Sequence, residues 1–361
     1  MTATSPTTGP RPVRRLTRAA AQLTTRLTTP LLPEDYLALL NPLWSERDVC
    51  GRIEAVMPET ADAATLVIRP GRAWTVGDVR PGQWIRLGVE VNGVRHWRTF
   101  SLSRVPGPDG TFAITVKANP DGLVSRHLVH RVRPGAIVRL GRPEGGFVLP
   151  DHPVRPLFLT AGSGITPVMA MLRVLELPDV VVIHSARTQE SVIFGDELRA
   201  LAARRPGFAL IERHTAAAGR LRLAELDALC PDWTRRPTWA CGPQGLLAAA
   251  QAHWAAAGAA ELHVERFQTP ALVTGGEGGT ARFSQSGRTA EASGDTPLLE
   301  VGEEAGALMP SGCRMGICFT CVGRLNSGQV RDLRTGAVHG EAGDLIQTCV
   351  SAAAGPVDIE L

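Results

Sequence analysis

Four cysteines near the end of the chain constrain its fold and chemistry more than any other feature. Cys313, Cys318 and Cys321 follow the pattern C-x4-C-x2-C, and Cys349 comes after a further 27 residues. This is the ligand spacing of a plant-type [2Fe–2S] centre, in which four thiolates hold two irons. A structural zinc site is the alternative, although zinc sites tend to combine two short pairs such as C-x2-C. The spacing therefore predicts a one-electron iron–sulfur centre with these four cysteines as its ligands.

The length and composition indicate a multidomain globular protein. The chain has 361 residues, enough for about two to four domains. Its net charge of +3 is too small to indicate nucleic acid as a partner. Seven cysteines in this length do not suggest a disulfide scaffold, and four at metal spacing predict a reducing, cytoplasmic location. The chain contains no apolar run of about 18 residues, so the sequence predicts no transmembrane helix.

The N-terminal segment is basic. Its first 33 residues contain five arginines and no acidic residue. The part from 13 to 27 could form a short basic helix on a membrane surface, which would add a peripheral association with the inner membrane. The Thr and Pro content favours a disordered basic tail instead. We expect the protein to be a monomer.

The sequence pattern changes along the chain, which predicts separate domains. Short β-type runs between Pro/Gly turns predict an antiparallel β-barrel in the first half. Apolar strands that alternate with helices then predict a parallel α/β sheet, followed by a Gly-rich linker and a smaller domain with the cysteines. The expected divisions are a basic extension at 1–45, the barrel at 46–150, the α/β domain at 151–268, the linker at 269–279 and the C-terminal domain at 280–361.

One motif lies at the first strand-to-helix turn of the predicted parallel sheet. It consists of Gly162, Ser163, Gly164, Ile165, Thr166 and Pro167. Glycines let a backbone approach a pyrophosphate, and the N-terminus of the helix supplies N–H donors. Ligands bind beyond the carboxyl ends of such strands, although a plain tight turn is the alternative interpretation.

Three weaker motifs could bind nucleotides. Arg98, Thr99, Phe100 and Ser101 offer an arginine for phosphate, an aromatic ring for stacking and hydroxyls for hydrogen bonds. Gly122, Leu123, Val124 and Ser125 could begin a helix and form a second phosphate-binding turn, or Ser125 could merely cap that helix. Cys241, Gly242 and Pro243 follow the last apolar strand before a helix, where a buried structural cysteine is the alternative.

Together these motifs resemble the ferredoxin–NADP⁺ reductase superfamily fused to a plant-type ferredoxin. The segments 39–45, 168–172 and 265–267 are similar to those of the three-domain reductases that supply electrons to membrane fatty acyl desaturases. The resemblance implies a flavin-binding β-barrel, a nicotinamide-nucleotide α/β domain and a C-terminal β-grasp [2Fe–2S] domain.

The resemblance also implies roles for individual residues. The flavin would be bound by Arg98, Thr99, Phe100, Ser101, Lys117, Gly122, Leu123, Val124 and Ser125, with Phe100 stacked on the ring and Ser101 near N5. The nicotinamide nucleotide would be bound by residues 162–167, Ser185, Arg187, Cys241, Gly242 and Pro243, with Ser185 and Arg187 at the adenosine ribose or its 2′-phosphate. Ser101, Thr166 and Cys241 would lie at the reacting groups, and Phe267 would shield the flavin. The family usually has tyrosine where this chain has Phe100, so one hydrogen bond to the flavin is lost.

The implied function is electron transfer from NADPH or NADH through FAD and the cluster to an acceptor. The favoured acceptor is a fatty acid desaturase. The alternatives are a ring-hydroxylating oxygenase, a cytochrome P450 system, or a redox-sensing role without an acceptor. FMN is the alternative to FAD.

Overall fold

The computed structural model describes residues 33–75, 77–120, 122–267, 275–311, 316 and 319–361. The basic segment at 13–27 and two of the predicted cluster ligands, Cys313 and Cys318, lie outside these residues.

A short helix and a turn precede the first domain. Helix α1 (Pro33–Leu40) ends before Asn41, whose side-chain oxygen accepts a hydrogen bond from the N–H of Leu43 at 3.1 Å. This bond starts a 3₁₀ turn at Pro42–Trp44. Leu43 is buried and its carbonyl accepts a bond from Arg72, so the turn is attached to the barrel. By contrast, Leu39 and Leu40 are 76% and 79% exposed.

The first domain is a closed barrel with the strand order β1-β2-β5-β4-β3-β6, and neighbouring strands are antiparallel. Branched residues such as Ile53, Leu66 and Ile85 fill its interior. The segment 98–101 lies within the long strand β4, so its side chains alternate between two faces. The strands are β1 (Cys50–Thr60), β2 (Ala63–Pro70), β3 (Trp84–Val91), β4 (Val94–Arg104), β5 (Phe112–Lys117) and β6 (Ile137–Leu140), with helix α2 (Leu123–His130) between the last two.

The second domain is a five-stranded parallel sheet with the order β11-β10-β7-β8-β9. Its strands are almost continuously apolar because helices cover both faces. The strands are β7 (Leu157–Ala161), β8 (Val180–Ala186), β9 (Phe208–His214), β10 (Thr238–Cys241) and β11 (Leu262–Glu265). The helices are α3 (Ile165–Val174), α4 (Gly195–Arg204), α5 (Thr215–Ala218), α6 (Leu226–Leu229) and α7 (Gln244–Ala257), and short 3₁₀ turns occupy Gly162–Gly164, Gln189–Ser191, Leu223–Glu225 and Trp233–Arg235.

The C-terminal domain contains two small sheets, ordered β13-β12-β19-β14-β17 and β16-β15-β18. Strands β12 and β19 pair in parallel. By contrast, β12 pairs antiparallel with β13, and β19 pairs antiparallel with β14. The strands are β12 (Gly279–Phe283), β13 (Arg288–Ala292), β14 (Val322–Ser327), β15 (Val330–Asp332), β16 (Val338–His339), β17 (Leu345–Gln347), β18 (Ser351–Ala353) and β19 (Val357–Glu360), with helix α8 (Leu298–Glu304) and a 3₁₀ turn at Thr348–Val350. The predicted fold class, a barrel followed by an α/β sheet and a ferredoxin-type domain, is confirmed.

Arginines connect the three domains. Arg173 of α3 donates to the carbonyl of Ser103 in the barrel at 2.8 Å. Arg86 of β3 donates to the hydroxyl of Thr320 beside the cysteine loop, also at 2.8 Å.

Among the described residues, every helix is too short or too polar to cross a lipid bilayer.

Candidate active site at the junction of three domains

A cavity of about 740 Å³, here called the junction cavity, is lined by all three domains. The barrel and the segment after it contribute Trp84, Thr99, Ser101, Gly145, Gly146 and Phe147. The α/β domain contributes Gln244, Ala248 and residues 263–267, and the ferredoxin-type domain contributes Gly316 and Arg334. The fold therefore brings the end of the parallel sheet, one face of β4 and the cysteine loop to one place.

A partly buried carboxyl group lies at one wall of this cavity. Glu265 ends β11, and its Oε2 accepts a hydrogen bond from the Ser101 hydroxyl at 3.3 Å. The same oxygen is 4.0 Å from Sγ of Cys241, which is fully buried at the end of β10. Burial raises the pKa of Glu265 to about 8, and burial followed by the nearby Glu265 raises the pKa of Cys241. At neutral pH both groups therefore carry protons.

The face of β4 that meets the cavity is that of Thr99 and Ser101. Within the described part of the chain, the buried Thr99 hydroxyl has no hydrogen-bond partner, so it is available to a polar ring in the cavity. Phe100 lies on the other face and packs, partly buried, against the barrel core. Arg98 donates to the carbonyl of Trp97 at 2.8 Å and does not line the junction cavity. The polar face of the strand fits a flavin ring. Phe100 lies outside the lining of the junction cavity, and its stacking on the flavin stays a prediction.

A second cavity of about 890 Å³, here called the nucleotide cleft, runs between the barrel and the carboxyl ends of β7 and β8. Gly162, Ser185, Arg187 and Pro243 line it. Ser185 is only 8% exposed, and among the described residues its hydroxyl has no partner. Gly162 has a φ of +55° and open space where a Cβ would be, so its backbone can approach a ligand closely. The Ser185 hydroxyl therefore suits the sugar of a nucleotide, and the open backbone at Gly162 suits its phosphates.

The other residues of the 162–167 motif stabilise this turn through close packing and one hydrogen bond. A Cβ on Gly164 would lie 2.1 Å from the carbonyl oxygen of Cys241, so glycine is required where the two strand ends meet. Thr166 is 2% exposed and its hydroxyl donates to the carbonyl of Ser163 at 2.9 Å. Ile165 and Pro167 are buried in the first turn of α3. Gly242, with a Cβ position 3.2 Å from Ala161, also serves close packing. Thr166 therefore holds the turn and does not line either cavity.

The 122–125 motif forms the first turn of α2. Gly122 is the N-cap residue, and a Cβ there would lie 2.4 Å from Oγ of Ser125. Ser125 does not cap the helix: its hydroxyl donates to the carbonyl of Gly122 and accepts from the N–H of Asn119. Val124 is buried and Leu123 is 49% exposed. The interpretation of Ser125 as a cap is wrong because the helix begins two residues earlier, at Leu123.

Lys117 lines the nucleotide cleft but is already paired. Its Nζ lies 2.6 Å from a carboxylate oxygen of Asp62, which is also at the cleft. Burial alone would raise the pKa of the Asp62 carboxyl, but the hydrogen bonds from Lys117 and Thr60 outweigh it and hold that pKa below its ordinary value. A phosphate in the cleft would therefore meet Lys117 together with Asp62, whose carboxylate offsets the attraction of the lysine.

The cysteine site is described in part. Sγ of Cys321 and Sγ of Cys349 are 3.1 Å apart, and both cysteines are buried. The N–H of Gly316 donates to Sγ of Cys349 at 3.3 Å, and Gly316 has a φ of +70°. The two sulfurs and the backbone donor fit an iron–sulfur cluster, whose sulfurs accept such bonds. The other two predicted ligands, Cys313 and Cys318, lie outside the described residues.

Sequence reasoning assigned no role to three residues at these cavities. Glu265 was noticed only as part of a similar segment, although its place at the end of a parallel strand could have indicated a ligand site. Arg220 joins Arg187 along the nucleotide cleft from a loop beyond α5, which no local pattern reveals. Arg334 reaches the junction cavity from the ferredoxin-type domain. Their positions depend on how the three domains pack.

Comparison with known families supports two of the domains directly. Residues 54–149 match the oxidoreductase FAD-binding domain, and residues 282–354 match the 2Fe-2S iron-sulfur cluster binding domain. The solved structure of phthalate dioxygenase reductase has the same fold, with a TM-score of 0.64 and 22% identity, covering 88% of this chain and 98% of that one.

Relatives cover nearly the whole chain. An NADPH oxidoreductase of Mycobacterium tuberculosis is 51% identical over 353 residues, which are 95% of this chain and 92% of the relative. The ferredoxin reductase component of 3-ketosteroid-9-alpha-monooxygenase from Mycolicibacterium smegmatis is 32% identical over 304 residues, which are 77% of this chain and 86% of the relative. The chain belongs to the family of ferredoxin reductase-type, NAD(P)H-dependent oxidoreductases that combine an FAD-binding domain with a [2Fe–2S] domain.

Proposed function

We propose that this enzyme passes electrons from NADPH through FAD and the [2Fe–2S] cluster to a separate oxygenase. The observation that carries the proposal is the junction cavity, because Ser101, Glu265 and the cysteine-loop residue Gly316 all line it. Electron transfer requires the donor and acceptor sites to be close, and this cavity is where a flavin on the barrel meets the cluster loop.

The protein residues bind and orient the reacting groups. Bound FAD supplies the chemistry, because it accepts a hydride from the nicotinamide and releases electrons one at a time. The Ser101 hydroxyl and the Glu265 carboxyl form a fixed pair at one wall of the cavity. Since Glu265 remains protonated near neutral pH, it does not oppose the negative charge that a hydride brings. Cys241, buried behind this pair, helps to exclude water from the same point.

The nucleotide cleft supports NADPH as the electron donor. Ser185 lies near the end of β8 and the exposed Arg187 directly follows that strand, and Arg220 lines the same cleft. Two arginines beside an unpaired hydroxyl suit the 2′-phosphate that distinguishes NADPH from NADH. The name of the 51% identical relative, NADPH oxidoreductase, points in the same direction.

An oxygenase is the favoured acceptor because the 32% identical relative is named as a component of a monooxygenase. A membrane fatty acyl desaturase is the second candidate, and one observation favours it. Tyr36, Leu39, Leu40 and Trp44 present apolar side chains that are 43%, 76%, 79% and 39% exposed, directly after the basic N-terminal segment. Exposed apolar residues next to basic ones suit a membrane surface. A cytoplasmic enzyme with peripheral membrane contact would be consistent with this second candidate.

The first prediction tests the electron path through the cluster. Cys349→Ser should abolish the iron–sulfur absorbance and the reduction of cytochrome c, because it removes a thiolate ligand. Reduction of ferricyanide by NADPH should persist, because the flavin can supply those electrons directly. Cys230→Ser is the matched control, since this cysteine is buried in the α/β domain, and it should retain both activities. Cytochrome c reduction at the normal rate by Cys349→Ser would contradict the proposed path.

The second prediction concerns the choice of nucleotide. Arg187→Ala should lower kcat/KM for NADPH about tenfold or more and leave the value for NADH nearly unchanged. A charge-assisted bond to phosphate contributes about 1.5–3 kcal/mol, which corresponds to this loss. Arg222→Ala, which removes an exposed arginine that pairs with Glu225, is the control and should change neither value. Equal losses with both nucleotides would show that Arg187 does not bind the 2′-phosphate.

The third prediction follows from the pKa of Glu265, about 8 in the folded protein against an ordinary value of 4.5. Between these pH values the unfolded chain loses the proton and the folded protein keeps it, so stability falls as pH rises through this window. Glu265→Gln removes this pH dependence. In thermal unfolding, the stability of the variant relative to the parent protein should therefore rise from pH 5 to 8. The gain should be at most about 1.4 kcal/mol per pH unit.

Glu300→Gln is the control for that comparison, because it makes the same change at an exposed carboxyl group. Its melting temperature should follow that of the parent protein at every pH. A constant difference between Glu265→Gln and the parent from pH 5 to 8.5 would show that Glu265 is ionised throughout this range.

The fourth prediction separates the two acceptors. With NADPH and catalytic amounts of this enzyme, a purified oxygenase should be reduced and turn over its substrate, and the double change Leu39→Ser and Leu40→Ser should leave that rate unchanged. Sedimentation with anionic phospholipid vesicles provides the second measurement. Vesicle binding that disappears in the double variant but persists in Leu308→Ser, a control with an 89% exposed leucine elsewhere, would favour the membrane desaturase instead.

A further inference from the structure

Arg334 lies between the two redox sites. It lines the junction cavity together with Trp84 and Phe267. Its Nη1 is 3.4 Å from the carbonyl oxygen of Gly316, whose N–H donates to Sγ of Cys349. A guanidinium group therefore stands where the flavin cavity adjoins the cysteine loop.

The guanidinium group is held in one orientation. Its Nη2 donates to Oδ2 of Asp332 at 2.6 Å, and its Nε is 3.1 and 3.2 Å from the two carboxylate oxygens. Oδ1 of Asp332 also accepts the backbone N–H of Arg334 at 2.8 Å. Because Asp332 occupies the edge formed by Nε and Nη2, the remaining Nη1 is directed to the cysteine loop.

Two features of the loop accommodate this approach. A Cβ on Gly316 would lie 2.8 Å from Nη1 of Arg334, so glycine leaves room for the guanidinium group. Gln347 accepts from the same Nη1 at 3.5 Å and lies two residues before Cys349. The side-chain N–H₂ of Gln347 is buried and has no partner among the described residues, so a donor remains available at the cysteine site.

We propose that Arg334 is a positioning residue that raises the reduction potential of the [2Fe–2S] cluster and so draws electrons from the flavin. A cluster gains one negative charge on reduction, and a nearby fixed positive charge stabilises that state more than the oxidised one. Asp332 partly offsets this effect because its carboxylate is bound to the same guanidinium group. The proposal rests on the proposed function, since it takes the cluster to be bound at Cys349 and Cys321.

Potentiometric titration of the whole enzyme, followed by the electron paramagnetic resonance signal of the reduced cluster, tests this role. Arg334→Gln should make reduction of the cluster at least tenfold less favourable, which is a fall of about 59 mV for a one-electron couple. Asp332→Asn should shift the potential in the opposite direction, because it leaves the guanidinium charge without its partner. Arg334→Lys retains the charge and should keep most of the parent potential.

Arg282→Gln is the matched control, because this arginine of the same domain is 64% exposed and pairs with Asp358. Its potential should equal that of the parent protein. Unchanged potentials in Arg334→Gln and Asp332→Asn, or shifts of both in the same direction, would overturn the proposal. Failure of the proposed function would look different, because the parent enzyme would then not reduce an oxygenase with NADPH, whatever the cluster potentials of the variants.

Discussion

The functional site depends on one hydrogen bond, 3.3 Å long, that crosses a domain boundary. The Ser101 hydroxyl belongs to the barrel, and the Glu265 carboxyl that accepts its bond belongs to the parallel sheet. Neither domain contains this pair on its own. The bond fixes the face of β4 against the carboxyl ends of β10 and β11, which is where a flavin held by one domain must meet a nucleotide held by the other.

The packing of the two domains around this bond, and not the bond itself, explains why the carboxyl group is neutral near pH 7. Glu265 is enclosed by the junction of the domains, and desolvation outweighs the hydrogen bond from Ser101, so its pKa rises to about 8. A carboxyl group on an open sheet edge would be ionised at neutral pH. The domain packing that brings the redox groups together therefore also sets the charge at this wall of their cavity.

Much of this organisation could be predicted from local patterns, and the remainder depends on packing. The turn at Gly162 follows from one strand-to-helix unit, whereas Ser185 was assigned to the nucleotide by the resemblance alone, and both line the nucleotide cleft. Phe100 alternates with Thr99 and Ser101 along β4, so its ring packs against the barrel core while these two face the junction cavity. Lys117 was expected to bind the cofactor without its partner Asp62, which is 55 residues away. Glu265 and Arg334 line the same cavity only after the three domains have packed, so no single segment of the sequence indicates that they are near each other.

Positive charge lines the junction cavity at both ends, so charge alone gives the transfer no direction. Glu265 is neutral near pH 7 where the barrel meets the parallel sheet, so its carboxyl group does not repel an incoming hydride. Arg266, next to it, adds a guanidinium group to the same lining. Arg334 stands at the other end, with Nη1 directed to the cysteine loop. The contact between Arg86 and Thr320 holds the barrel and this loop together, and the direction of transfer then depends on the difference between the flavin and cluster potentials, which Arg334 is proposed to widen.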